Sequence, residues 1–384
     1  MEAMIESHIL KWAIERAQIN VDGLSAKLSV KREKIEKWMS GEAKPTFKQA
    51  QNLAKKLHIP FGYLFLSEPP VEKIPFPDFR TIKNQPTYHQ SAYLMELLYD
   101  LERKQNWYRE YLIENGYDKL PFVGSVSIQI PAETVAKKID NLLQLDKIRK
   151  QATGRETFIY ELTRKVEEIG IIVLRSSYAG KGTQNSIRVE ELRGLAIADD
   201  YAPLIFINSA DANSAQVFTM AHELAHIWIG ESGISDIDLN ADEEKVEKYC
   251  NNVAAELILP KQQFIALWST EQEIRENLQK ISNSYYVSEF VVLKRAYDMR
   301  YVSYDTYRQM YETLIKEWEE IKNQKSERSG NYYNSKSAKE SRRLSLAVIE
   351  STLEGKMLYR DALDLLNIKS MKTFNEYIEK LGVK

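Results

Sequence analysis

His222-Glu223-Leu224-Ala225-His226 places two histidines four residues apart, with a glutamate directly after the first. The residues from about 214 to 229 are mostly apolar and include neither proline nor glycine before Gly230, which predicts a helix. Positions four apart share one face of a helix, so both imidazoles can reach one ion, and Glu223 is expected to point to the same cleft. The stretch therefore predicts a metal site. The alternative is two histidines that pack in a core or face solvent.

A third ligand is needed, and a second predicted helix, from about Asp242 to Leu257, offers several carboxylates. Glu247 is preferred because it shares an apolar face with Cys250 and Ala254, at helical offsets of three and seven. Asn251, four residues after Glu247, is placed to hydrogen-bond one of the ligands. Zinc fits this set best, since imidazole and carboxylate ligands with one open position are typical of catalytic zinc.

Other residues of the same helix keep the ligand assignment open. Glu243 and Glu244 stand at the helix start, where carboxylates are commonly solvated and complement the helix dipole. Cys250 can ligate zinc by its chemistry, although a small buried thiol is the commoner role.

The predicted ligand set implies hydrolysis. Zinc lowers the pKa of a bound water and polarises a substrate carbonyl. Glu223 would take the proton from that water and pass it to the leaving amine, which describes cleavage of an amide, most simply a peptide bond. Tyr201, after a predicted strand turn, is a candidate oxyanion partner. The strand around residues 195–198 is a candidate for pairing with an extended peptide.

Composition places the chain among soluble globular proteins. Its 384 residues allow two or three domains, with 43% hydrophobic and 28% charged residues. The 53 basic and 55 acidic residues give a net charge of −2, so nucleic-acid binding would need a local basic patch. The single cysteine excludes an internal disulfide. No signal peptide or membrane-spanning run is recognised, and a cytoplasmic location is expected.

The chain is predicted to be mainly α with a small sheet (α+β). A helical unit is expected first, with Asp22 capping its second helix, a tight turn at Ser29-Val30, a helix from Lys31 to Ser40 and a helix begun by Pro45. Short strands are expected near 170–174, 193–198 and 203–208. Four regions follow: a five-helix unit at 1–70, a proline-rich linker and long amphipathic helix at 71–130, the domain with the metal motif at 131–323, and a helical tail at 324–384.

The segment from Phe218 to Pro260 resembles the ImmA/IrrE family of metallopeptidases (the DUF955 or M78 group). The histidine motif and the stretch Glu247-Lys248-Tyr249-Cys250-Asn251-Asn252-Val253-Ala254-Ala255-Glu256-Leu257-Ile258-Leu259-Pro260 carry the resemblance. Cys250 stands where the family usually has alanine, and Val253 where it usually has phenylalanine. The resemblance implies a zincin-like domain with Glu247 as third zinc ligand. It also implies a role in cleaving a transcriptional repressor.

The first 66 residues or so resemble an XRE-type helix-turn-helix. Leu24-Ser25-Ala26-Lys27-Leu28 lies in the first helix of the motif, and Trp38 and Gly41 close the recognition helix. Ser29 replaces the usual turn glycine, and Lys31 the usual Ser or Thr cap. Long ImmA/IrrE proteins fuse such a module to the peptidase, and the segments at 77–81 and 330–333 fit that architecture.

The predicted recognition helix carries a modest positive charge. Four basic residues stand against Glu33 and Glu36, and residues 1–70 hold 11 basic and 8 acidic residues. Dimerisation would double a DNA footprint, but the unit can also be a docking module for a protein. The candidate DNA contacts are Lys31 and Arg32 near base edges, Lys34 and Lys37 on the same helix, and Lys44 and Lys48 near phosphates.

An aromatic cluster and a basic cluster could each contact nucleic acid, but a structural role is favoured for both. The aromatic residues between Tyr93 and Tyr117 have helical spacing and are expected in a core, not as a base-stacking platform. The basic residues Lys336, Lys339, Arg342 and Arg343 are expected on a solvated face.

The leading hypothesis is a zinc-dependent endopeptidase of narrow specificity, fused to a DNA-binding helix-turn-helix and acting in gene regulation. The alternative is a helix-turn-helix regulator or antitoxin-like interaction protein whose metal site is structural or sensory. Glu223 favours the enzyme, because a structural zinc site has no use for a carboxylate beside the open position.

Overall fold

The computed structural model describes residues 2–17, 19–70, 91–180, 185–235, 245–324 and 340–383. The residues 71–90 of the predicted linker region, the predicted helix start at 242–244 and the residues 325–339 of the predicted tail lie outside these ranges. So do Lys336, Lys339 and the segments at 77–81 and 330–333. The chain is mainly helical with a small sheet, so the predicted fold class is confirmed. The four predicted domain boundaries stay a prediction.

The described residues divide into two compact units. The first contains those up to residue 70, the start of the long helix α5 and those of 178–187. Its N-terminal helices surround a core that includes Leu24, Ile35 and Trp38. These helices are α1 (Ser7–Arg16), α2 (Val21–Leu28), α3 (Arg32–Ser40), α4 (Phe47–Lys56) and a short 3-10 helix (Phe61–Phe65).

Two helix starts in this unit differ from the predicted ones. The side chain of Asn20, not that of Asp22, caps α2 by accepting a hydrogen bond from the Gly23 amide. Helix α4 begins after Thr46, which forms a capping box with Gln49, so Pro45 precedes the helix and does not begin it. Asn20 lies two positions before the predicted cap, and Thr46 lies one position after the predicted first residue. Each satisfies backbone amides at the start of its helix.

Helices α2 and α3 are joined by a short turn. Ser29 has φ of +54°, in the left-handed region that glycine adopts without strain, and Gly41 ends α3 with φ of +82°. Leu24, Ile35 and Trp38 are buried beneath the turn. The order helix, turn, helix is the predicted one, while DNA binding by it stays a prediction.

The second unit holds the sheet and the remaining helices. Strand β1 runs parallel to β3, and β2 runs antiparallel to both β3 and β4, in the order β1-β3-β2-β4. The strands are β1 (Ile172–Ser176), β2 (Gly194–Ile197), β3 (Leu204–Asn208) and β4 (Gly233–Ser235), of which β4 was not predicted.

Helix α5 (Ala92–Glu114) is divided between the two units. The helices that follow it in the second unit, within the part of the chain that the structure describes, are α6 (Ala132–Leu143), α7 (Leu145–Gln151), α8 (Arg155–Glu168), α9 (Asn213–Ile229), α10 (Lys245–Ile258), α11 (Lys261–Leu267), α12 (Ile274–Tyr285), α13 (Glu289–Asp298), α14 (Tyr304–Gln324), α15 (Arg342–Leu353), α16 (Tyr359–Leu365) and α17 (Met371–Leu381).

Helix α9 lies at the centre of the main core. All of its residues from Gln216 to Trp228 are buried, and it packs against α10, β2 and β3. Apolar residues of α6, α8, α10, α12 and α13 complete the same core. Because neighbouring elements pack around α9, its side chains are held in one arrangement, as a site built from several side chains requires.

Strand β2 has a neighbour on each edge along its first part. Gly194 pairs with Ile207 on β3 and with Ser235 on β4, and Leu195 and Ala196 are likewise paired on both sides. Residues 195 and 196 therefore have no open edge for an extended peptide, and the strand pairing expected there is wrong for them. The unpredicted strand β4 takes that place.

The C-terminal helices are held by polar contacts within the second unit. Lys104 of α5 forms an ion pair with Glu340 at 2.9 Å, and both side chains are almost buried. Arg343 donates to the carbonyl of Glu167, and Arg342 donates to that of Leu381. Arg343 is half-buried and so departs from the predicted solvated face, whereas Arg342 is exposed as predicted although it also contacts a carbonyl. The core role predicted for the aromatic residues between Tyr93 and Tyr117 holds for Tyr108, which is buried, but Tyr99 and Tyr117 are exposed.

None of the described helices is both long and apolar enough to cross a membrane.

Candidate metal centre

The histidine motif lies in the middle of α9. His222, Glu223 and His226 are fully buried, and α9 ends at Gly230, whose φ of +83° closes the helix. The third predicted ligand, Glu247, lies in the first turn of α10 and is also buried. Helices α9 and α10 pack along each other, so that residues 20 or more positions apart face one another.

The structure brings the side chains of His222, His226 and Glu247 together. The two Nε2 atoms lie 3.1 Å apart. Nε2 of His222 is 3.2 Å from Oε2 of Glu247, and Nε2 of His226 is 3.2 Å from its Oε1. Two imidazole nitrogens and one carboxylate group therefore form a triangle in the core, in which each nitrogen lies beside a different carboxylate oxygen.

These separations fit a shared metal ion. Ligand atoms about 2.0–2.1 Å from a tetrahedral ion lie about 3.3 Å from one another, close to the 3.1–3.2 Å observed. The three side chains form the one group able to hold a metal ion among the described residues of the chain. Three protein ligands leave one tetrahedral position for another molecule.

The carboxyl of Glu247 is ionised at neutral pH. Burial by itself would raise its pKa, but the contacts with His222 and His226 outweigh burial and lower the pKa to about 2. Burial lowers the pKa of His226, because it disfavours the charged form of the ring. A carboxylate beside the neutral imidazole of His226 is a protonation state in which both groups can ligate a metal.

Asn251 lies one turn after Glu247 on α10 and contacts the opposite edge of the His222 ring. Its Oδ1 is 2.9 Å from Nδ1 of His222. An amide oxygen only accepts, so Nδ1 carries the proton and, in the neutral ring, the lone pair of Nε2 faces the triangle. This is the position that the sequence predicted for Asn251.

Glu223 is buried against strand β2. A Cβ atom built on Gly194 would lie 3.0 Å from Cδ of Glu223 and would overlap its Oε1. The sequence analysis missed Gly194. A glycine in a strand often marks a place where another group lies close to the backbone. The sequence Arg193-Gly194-Leu195 carried that signal.

The other ligand candidates on this helix lie elsewhere or outside the described residues. Cys250 is buried in the main core. Glu256 accepts a hydrogen bond of 2.6 Å from Arg295 in a buried ion pair. Glu243 and Glu244 belong to the segment that the structure does not describe. Tyr201, the oxyanion candidate, lies beside the cations of Arg109 and Lys119, at 5.8 and 5.7 Å from its ring centre.

The candidate DNA contacts are all in the first unit, and two of them form ion pairs or hydrogen bonds within it. Arg32 forms ion pairs with Asp22 at 3.0 Å and Glu36 at 2.7 Å. Lys44 is half-buried and donates to the carbonyl of Ile5 at 2.8 Å, so it anchors the N-terminal segment. The remaining four, Lys31, Lys34, Lys37 and Lys48, are exposed.

Comparison with known families agrees with the location of the metal cluster. Residues 167–297 match the family model of the IrrE N-terminal-like domain of the M78 peptidases, a range that contains the sheet, α9, α10 and every residue of the cluster. Residues 341–380, which hold α15 to α17, match a domain of unknown function. No curated protein matches the chain.

Proposed function

We propose that this protein is a zinc-dependent endopeptidase of narrow specificity that acts in transcriptional regulation. One observation carries the proposal: Nε2 of His222 and Nε2 of His226 lie 3.1 Å apart, and each is 3.2 Å from a carboxylate oxygen of Glu247. Glu223 follows His222 directly on α9. The match to the M78 peptidase model over the same residues supports it.

Zinc is the metal proposed. Its protein sites favour imidazole nitrogen and carboxylate oxygen at tetrahedral geometry, whereas calcium and magnesium sites are built from oxygen ligands. When bound, zinc would supply a Lewis acid for the substrate carbonyl and an acidified water.

Glu223 is the proposed general base and then general acid. Its carboxylate would take a proton from the attacking water and deliver it to the amine that leaves when the peptide bond breaks. A buried carboxylate is suited to this work, because its local dielectric is low and its position is held by packing. Asn251 would keep His222 in the tautomer that offers Nε2 to the metal.

The substrate class follows from the resemblance of the chain to the ImmA/IrrE family. A transcriptional repressor or another regulatory protein is the proposed substrate, in the cytoplasm. The first unit is proposed to bind double-stranded DNA through α3, with Lys31, Lys34 and Lys37 toward the duplex and Lys48 toward phosphate. Arg32 and Lys44 contribute less in this proposal, because internal contacts already hold both. A homodimer would present two such helices.

One observation favours the alternative, a regulator whose metal site is structural or sensory. His222, Glu223 and His226 show no exposed surface among the described residues, and Glu247 is only 3% exposed. A site that admits no substrate would stabilise the fold or report on metal supply without turnover.

The deciding experiment compares new protein N-termini in host cells that express the wild type, Glu223→Gln or Glu271→Gln. Glu271 is exposed and remote in sequence from the cluster, so its variant controls for the loss of one carboxylate. A defined cleavage with the wild type and Glu271→Gln, absent with Glu223→Gln, identifies a peptidase and its substrate. Identical N-termini in all three, with metal bound, would favour the structural or sensory site.

A further inference from the structure

We propose that Gly194 is a positioning residue for Glu223, and that the absence of a side chain on this strand sets where the carboxylate of the base lies. The inference rests on the proposed function, since it concerns the same base. The sequence motif names the base and the ligands, but it does not say what fixes the position of the base.

The contact is between strand β2 and one face of α9. A Cβ on Gly194 would overlap Oε1 of Glu223, lie 3.0 Å from its Cδ and lie 2.5 Å from Cγ2 of Thr219. Non-bonded carbon atoms meet favourably at about 3.5–4.0 Å, so a methyl group cannot share this space with both side chains. Thr219 is one turn before Glu223, so the two lie on the same face of the helix.

Space, not backbone conformation, is what requires glycine here. Gly194 is not among the glycines of the described chain with positive φ, so an alanine could adopt its backbone angles. The strand cannot move aside easily, because Gly194 pairs with Ile207 on one edge and Ser235 on the other. Thr219 is held as well, since its hydroxyl donates to the carbonyl of Ala215 at 3.1 Å.

The group that can yield is therefore the end of the Glu223 side chain. The carboxylate can rotate about the bonds of its side chain, which costs less than moving the paired strand or the packed helix. His222 and His226 are not among the nearest atoms that the added methyl would meet. Gly194→Ala should thus displace the base and also press on the Thr219 methyl group, which Thr219→Ser removes, while the metal ligands stay in place.

The test uses the full-length protein loaded with Co²⁺ and acetohydroxamate as the probe. A hydroxamate binds a metal and gives a proton or hydrogen bond to a carboxylate beside it, so its affinity reports where that carboxylate lies. Affinity is read from the visible spectrum for the wild type, Glu223→Gln, Gly194→Ala and Gly154→Ala. Gly154 has an extended φ of 175° and open space around it, which makes its variant a matched control.

We expect Gly194→Ala to bind one equivalent of Co²⁺ with wild-type affinity but to bind the hydroxamate about tenfold or more weakly, as Glu223→Gln does. Gly154→Ala should match the wild type. Adding Gly194→Ala to Glu223→Gln should cause no further loss, because both changes act on one carboxylate. Wild-type hydroxamate affinity in Gly194→Ala, or losses that multiply in the double variant, would overturn the proposal.

A further variant keeps the test decisive if Gly194→Ala folds poorly. Thr219→Ser removes the methyl group that the new Cβ would meet and keeps the hydroxyl bond to Ala215. Gly194→Ala/Thr219→Ser should fold and still bind the hydroxamate weakly; recovery of wild-type affinity would assign the effect to Thr219 packing and overturn the proposal. Failure of wild-type protein to bind Co²⁺, or equal hydroxamate affinity in wild type and Glu223→Gln, would instead contradict the proposed function and this inference with it.

Discussion

Oδ1 of Asn251 lies 2.9 Å from Nδ1 of His222, on the edge of the imidazole opposite the contact between Nε2 and Glu247. One helix, α10, thus supplies both a ligand candidate and the group that orients another ligand on α9. Because orientation and ligation come from the same helix, a small movement of α10 disturbs both at once.

Asn251→Ala should weaken metal binding by about 10–100-fold, because His222 loses the partner that sets its tautomer and ring orientation. Affinity is measured by competition with a fluorescent chelator. Asn252→Ala is the matched control, since this neighbouring asparagine is exposed. Equal losses in the two variants would contradict the orienting role of Asn251.

Glu247→Ala should remove one of the three proposed ligands and leave two histidines. The metal content after dialysis against a mild chelator should fall from about one ion per chain toward zero. The comparison variant is Glu271→Ala, which removes an exposed carboxylate. Retention of a full equivalent of metal by Glu247→Ala would refute the ligand assignment.

Glu167 should make stability depend on pH. Burial raises its pKa to about 7, although hydrogen bonds from Ser341 and from the backbone of Arg343 and Arg342 partly oppose the rise. Between its ordinary pKa of 4.5 and about 7 the folded protein binds more protons at this site than the unfolded chain does. Its contribution is therefore fully present below pH 4.5 and is lost as the pH rises through 7.

Glu167→Gln should remove this loss and stabilise the protein at pH 8 by about 2 kcal/mol relative to the wild type, a figure reduced for partial exposure from the 1.36 kcal/mol per pKa unit of full linkage. Urea unfolding at pH 5 and pH 8 measures the difference. Glu168→Gln changes an adjacent exposed carboxyl and should leave the wild-type pH dependence intact. A Glu167→Gln variant with the same slope as the wild type would disprove the assignment.

Lys37→Met should weaken binding of the full chain to duplex DNA from its own promoter region. If Lys37 meets a phosphate, the slope of log K against log salt falls in magnitude by about 1. Lys55→Met, in the last turn of α4, removes an equally exposed charge outside the proposed recognition helix. Gel-shift titrations at three salt concentrations provide the slopes. Unchanged affinity in Lys37→Met would favour a protein-docking role for the unit.

Local periodicity made much of this protein predictable. Both imidazoles of the motif share a face because they are four residues apart, and Glu247 and Asn251 share a face for the same reason. The helix α9 and the strands β1 to β3 follow from apolar patterns of neighbouring residues, and their observed bounds lie within two residues of the predicted ones. The resemblance of residues 218–260 to the ImmA/IrrE family also implied that Glu247 joins the two histidines as the third ligand.

The tertiary structure alone decided the long-range contacts. Neither the pairing of β4 with β2 nor the hydrogen bond from Lys44 to Ile5 can be read from a periodic pattern. The approach of Gly194 to Glu223 depends on how a strand and a helix 29 residues apart pack. The physical reason is that periodicity encodes which side of an element is apolar, whereas the distance between two elements depends on the fit of all the side chains between them.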